Sequence, residues 1–81
     1  MVEKVNCNFT GMEYLVIFDK AEDGTIRAQV PDLPGCFSSG DTIEEAKKNV
    51  VEAIELHIEG LREEGRPVPN PETQADFVMV A

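Results

Sequence analysis

An 81-residue chain with 42% hydrophobic and 28% charged residues has the makeup of one small globular domain, not of a disordered or fibrous segment. Sixteen acids against seven bases give a net charge of −9, with three bases and six acids in residues 1–40 and four and ten in residues 41–81. Such a field repels a phosphate backbone, so no direct nucleic-acid binding is expected, while a basic partner would be captured faster. No apolar run approaches the length of a membrane span, and MVEKVNCNF lacks the pattern of a secretory signal, so a cytoplasmic protein without membrane contact is expected.

In chain order, residues 1–12 read either as a short strand, with Val5, Cys7 and Phe9 alternating with polar neighbours, or as a frayed terminus. Tyr14 to Phe18 is a run of five apolar residues, mostly β-formers, and predicts a central strand buried on both faces. Asp23-Gly24 marks a turn, and Ile26, Ala28 and Val30 then alternate with Thr25, Arg27 and Gln29. The two segments predict an antiparallel hairpin. Pro31 and Pro34 cannot donate to a ladder, and Pro34-Gly35 fits the central positions of a type II turn. Cys36–Ser39 is a short strand at a sheet edge.

Thr42 with Glu45 three residues later forms a capping box, and Glu44 and Glu45 complement the positive end of the helix. The helix runs from about Ile43 to Glu64. Ile43, Ala46, Val50, Ile54, His57, Ile58 and Leu61 share one stripe at 100° per residue, with Glu45, Lys48, Glu52, Glu55, Glu59 and Glu63 opposite. Gly65 and Pro67 end it. A proline-stiffened crossover, residues 66–71, leads to Phe77–Val80, which reads as a final apolar strand.

One helix covers one face of such a sheet, yet the first and last strands look apolar on both faces. Ala53, Leu56 and Gly60 also line a flank of the helix where small residues permit close contact. A homodimer or higher homo-oligomer is therefore expected. Cys7 and Cys36 have no thiol partner motif. Cys36 reads as a small buried hydrophobe.

Residues 31–61, PDLPGCFSSGDTIEEAKKNVVEAIELHIEGL, resemble the HicB family, the antitoxin half of HicA/HicB toxin–antitoxin pairs. The resemblance starts near Tyr14 and reaches the GRPVPNP segment. Asp32, Leu33, Pro34 and Gly35 carry it, with Gly40, Asp41, Thr42, Glu45, Ala46, Asn49, Glu52 and Ala53. It implies an α+β, partial RNase H-like fold of order β-β-β-α-β: a three-stranded antiparallel meander, one long helix on one face and a final strand beside the first. It also implies a protein that binds and silences a small basic HicA-like toxin, which cleaves messenger RNA through a double-stranded-RNA-binding-like fold. Many members add a C-terminal helix-turn-helix or ribbon-helix-helix domain. The chain ends at Ala81 without one, so autorepression through DNA is not expected. His57 stands where an aromatic residue is more usual in the family.

The fold resemblance also raises a metal-dependent nuclease built from Asp19, Asp32 or Asp76 with a helix glutamate. That chemistry needs several carboxylates converging on one point. Asp19 ends a strand and most helix glutamates face away from the sheet, so turn chemistry and solvation explain these acids. No catalytic residue, cofactor or metal ligand is expected, and the motif residues have structural roles. Two binding readings remain: an antitoxin, or an orphan scaffold that self-associates without a toxin. For the antitoxin, the candidate partner contacts are Glu22 and Asp23 on the hairpin loop, Asp32, and Glu52, Glu55 and Glu59 on the outer face of the helix.

Overall fold

The computed structural model describes residues 2–7, 11–76 and 78–80. Four strands, β1 (Val2–Cys7), β2 (Met12–Lys20), β3 (Ile26–Gln29) and β4 (Phe37–Gly40), form an antiparallel sheet in sequential order, and α1 (Ile43–Glu63) packs across it. Alternation along each strand sorts side chains onto two faces. Tyr14, Val16 and Phe18 of β2 join Val5, Ala28 and Val30 on the helix side, where they meet Ala46, Val50, Ile54 and Ile58 in one continuous core. On the opposite, far face, register places Val2 beside Ile17, Ile17 beside Gln29, and Gln29 beside Phe37.

The expected α+β class, the meander and the long helix are all present. The closing strand is not. The place beside β2 is taken by β1, paired from Val2↔Ile17 to Cys7↔Met12. Residues 78–80 form no strand, and Val78, Met79 and Val80 are 82%, 97% and 88% exposed. Phe77, like Phe9 of the N-terminal alternation, lies outside the described residues. A hairpin neighbour joined by a short connection closes at a lower entropic cost than a strand returning from the far end of the chain. β1 therefore holds that edge of β2. It is further tied to the helix by an ion pair between Glu3 and Lys47.

The turns follow their sequence signals. The amide of Cys36 donates to the Leu33 carbonyl at 2.9 Å across Pro34-Gly35, and Gly35 takes φ +85°, as a type II turn requires. Leu33, between the two prolines, is fully buried. The Glu45 amide donates to Thr42 Oγ1 at 3.1 Å, while the Glu45 carboxylate accepts from the Asp41 amide at 3.4 Å, one residue before the cap itself. At the other end, the amides of Gly65 and Arg66 donate back to the carbonyls of Arg62 and Leu61 at 3.1 and 2.8 Å. This is a Schellman closure.

Two motif residues lock the helix onto the edge strand. The Asn49 amide donates to the Ser39 carbonyl at 2.8 Å. Gly40 is buried against the first helical turn, where a Cβ would lie 2.5 Å from the Ala46 nitrogen and 2.9 Å from the Glu45 carbonyl carbon. Both atoms belong to backbone that the capping box holds. A Gly40→Ala substitution should therefore lower unfolding stability by about 1–3 kcal/mol, read as a shifted denaturation midpoint at unchanged slope.

Candidate partner-binding surfaces

The six candidate contact acids fall in three places. Glu22 and Asp23 sit on the loop between β2 and β3, and Asp32 sits on the loop between β3 and β4. These loops lie at opposite ends of a four-residue strand, a separation on the order of 13 Å at about 3.3 Å per residue. Glu52, Glu55 and Glu59 share the outer face of α1. The surface they form is set by the helix alone.

Asp23 turns inward on its own loop. Its carboxylate accepts from the Thr25 amide at 3.0 Å and from the Thr25 hydroxyl, and these bonds hold its pKa below the ordinary carboxylate value. Glu22 beside it is exposed.

Asp32 is a clamp on a distant segment. The Thr73 hydroxyl donates to it at 2.7 Å, the Thr73 amide at 2.9 Å and the Glu72 amide at 3.1 Å. Led by the Thr73 hydroxyl and then the Thr73 amide, these donors stabilise the ionised form and push its pKa down. A second anchor lies close by in sequence: the Tyr14 hydroxyl, on the fully buried Tyr14, donates to the Pro69 carbonyl at 2.6 Å. Val68 packs against the core between the helix end and that anchor. The chain after the helix is thus strapped around the end of the sheet. It reaches the far face, where Pro71 to Ala75 line a shallow cleft with Lys4, Glu13 and Leu15. Nothing local announces Thr73, Pro69 or this strap, because each bond spans forty residues or more of sequence.

The outer face of α1 keeps its acids for solvent. Glu52 and Glu59 are exposed and Glu55 is half-buried. Between them stands Leu56, 69% exposed, four residues after Glu52 and three before Glu59. Glu63 continues the same row. An apolar side chain ringed by carboxylates presents both the burial and the charge that a basic surface can use.

The acids weighed for metal chemistry are engaged or dispersed. Asp19 makes a two-point pair with Arg27, at 2.7 and 2.9 Å, which depresses its pKa. Asp32 holds the strap, and Asp76 lies on the exposed segment beyond it. Among the described residues no three His, Cys, Asp or Glu side chains converge as a metal cluster would. Cys36 is buried, and burial pushes its thiol up to about 11, which leaves it a packing group at neutral pH. No helix among the described residues is long and apolar enough to cross a membrane.

A family model described as the HicB-like antitoxin of bacterial toxin–antitoxin systems matches residues 14–79. The chain belongs to the HicB-like antitoxin family. The match begins at Tyr14 and carries the family pattern through the strap. It is 54% identical over 56 residues to a UPF0150 protein of Synechocystis sp., covering 69% of this chain and 71% of that one. A UPF0150 protein of Thermoplasma acidophilum is 47% identical over 58 residues, covering 72% of this chain and 84% of that one. An uncharacterized 14.9 kDa protein from the rep-hol intergenic region of Haemophilus phage HP1 is 48% identical over 58 residues, 72% of this chain. This chain spans only 43% of that phage protein's length. Among solved structures, a chain of the HicA3 and HicB3 toxin–antitoxin complex superposes with a TM-score of 0.64 at 38% identity, covering 75% of this chain and 70% of that one.

In this HicB-like chain the strap should titrate with Asp32. A carboxyl whose folded pKa is depressed stabilises the docked strap above its unfolded value and loses that contribution as pH falls through the folded one. The amide resonances of Glu72 and Thr73 should therefore shift together in an NMR titration, with a midpoint below the ordinary carboxylate value. Asp32→Asn should abolish that titration and speed hydrogen exchange at both amides.

Proposed function

We propose that this protein is an antitoxin that binds and neutralises a small, basic, messenger-RNA-cleaving toxin of the HicA type, without chemistry of its own. The observation that carries this reading is the family match across residues 14–79. The structural likeness to a chain from a HicA3–HicB3 complex supports it, and so does the net charge of −9. The docking surface is the outer face of α1, where Leu56 supplies apolar contact and Glu52, Glu55 and Glu59 supply the charge. Inhibition follows from coverage: a nuclease that must engage a polyanion presents a basic surface, and an acidic face held against it excludes the RNA.

Co-expression with the product of a short basic reading frame adjacent to the gene should give co-purification and restore growth to toxin-expressing cells. Leu56→Asp should weaken the complex by about tenfold or more, as loss of an apolar anchor does. Glu52→Lys with Glu59→Lys should slow association and flatten its dependence on salt. Absence of both co-purification and rescue would defeat the antitoxin reading and leave the orphan scaffold.

A further inference from the structure

The strap is held unevenly along its length. At its start Val68 packs against the core, and the Pro69 carbonyl accepts from the hydroxyl of the fully buried Tyr14 at 2.6 Å. Beyond that anchor, residues 70–76 are all exposed. A catch at Asp32 holds them, taking the Thr73 hydroxyl at 2.7 Å, the Thr73 amide at 2.9 Å and the Glu72 amide at 3.1 Å. All three bonds are solvent-exposed, so water competes for each of them. The body's half of the catch is fixed. Leu33 is fully buried and its amide donates to the Val30 carbonyl at 3.1 Å, so Asp32 cannot follow a departing strap.

Beneath the strap lies Leu15, 8% exposed, in a cleft of about 340 Å³ that Pro71, Glu72 and Thr73 line with Lys4 and Glu13. Register sets Leu15 beside Lys4 and two residues before Ile17 on the far face. Closing the strap brings Glu72 to a place that already holds Asp32 and Glu13, where Lys4 is the base that lines the cleft. Two acids of the body against one base make a field that opposes the incoming carboxylate. The hydrogen bonds at Asp32 pull the other way. Pro67, Pro69 and Pro71 keep this stretch extended whether it is docked or not, so docking costs it little conformational entropy. Attraction and repulsion are thus set against each other at one exposed point.

We propose that the strap is a cover that opens and closes on the folded domain, moving beyond the Pro69 anchor, with Asp32 as its catch and Lys4 as the counter-charge that lets it close. Closed, it hides Leu15. Open, it uncovers Leu15 and extends the apolar stretch that the half-buried Val2 and Ile17 begin on the far face. The domain therefore carries an internal competitor for its own sheet, and this holds whether or not a toxin partner exists. The opening is smaller than unfolding, because the helix–sheet core around Val50 and Ile54 draws on no residue from 70 to 76.

Native-state hydrogen exchange on the full chain, across low concentrations of denaturant, tests it. The amides of Glu72 and Thr73 should exchange through one opening whose rate barely depends on denaturant, whereas Val50 and Ile54 should show the steep dependence of whole-domain unfolding. Asp32→Asn should speed exchange at Glu72 and Thr73 by about tenfold or more and leave their slope shallow. Lys4→Glu should speed the same two amides by about threefold at low salt, and the gain should vanish in about 0.5 M salt. Thiol labelling of a Leu15→Cys protein, read at that residue by peptide mass spectrometry, should speed by about tenfold when Asp32→Asn is added. Glu72 and Thr73 amides that share the steep slope of Val50 and Ile54 overturn the proposal. So does labelling at position 15 that ignores Asp32→Asn, or a Lys4→Glu effect that is absent at low salt or persists at high salt.

Discussion

The packing of one stripe of α1 against one face of a four-stranded sheet is the constraint from which the other features follow. Ala46, Val50, Ile54 and Ile58 are all fully buried against Tyr14, Val16 and Phe18. A single helix can satisfy only one face of such a sheet. Everything apolar on the other face needs separate cover. The chain supplies part of it by strapping residues 69–75 around the sheet's end, and stops short of Phe37. The polar side of the same helix, meanwhile, turns Glu52 and Glu59 to solvent.

The Asp-Leu-Pro-Gly motif is where these two consequences meet. Leu33 anchors it in the core, Pro34 and Gly35 reverse the chain, and Asp32 grips the strap through Thr73 and Glu72. The clamp is charge-assisted, so it is stronger than a neutral hydrogen bond of the same geometry. Asp19, Asp23 and Asp32 all satisfy donors of the chain itself. The acids that face solvent are mainly glutamates on long, mobile stems along α1. The net charge of −9 therefore mixes two populations, one that holds the fold and one that faces solvent.

The two sides of this small domain differ in chemistry. The outer helix face offers charge with an apolar centre, while the far sheet face carries Val2, Ile17, Gln29 and Phe37 in one cross-strand row.

Local signals were enough to read much of this protein. The alternation of Ile26, Ala28 and Val30, the Pro34-Gly35 turn, the Thr42–Glu45 box and the Gly65 stop each depend on residues within a few positions, and each stands in the structure where the residues place it. The outer position of Glu52 and Glu59 was legible for the same reason, because a helix's periodicity alone assigns its faces. What neighbours along the chain could not decide was which of two candidate strand segments would flank β2. Val2–Cys7 alternates apolar and polar residues and Phe77–Val80 is a short apolar run, and only assembly placed the first beside β2. Nor could they show that Asp32, one acid among sixteen, faces Thr73 and not solvent, or that Phe37 lies open beside a groove. Periodicity and capping are properties of contiguous residues, so the sequence determined the elements and their faces. Pairings between residues forty positions apart belong to the assembled fold, and those the tertiary structure alone decided.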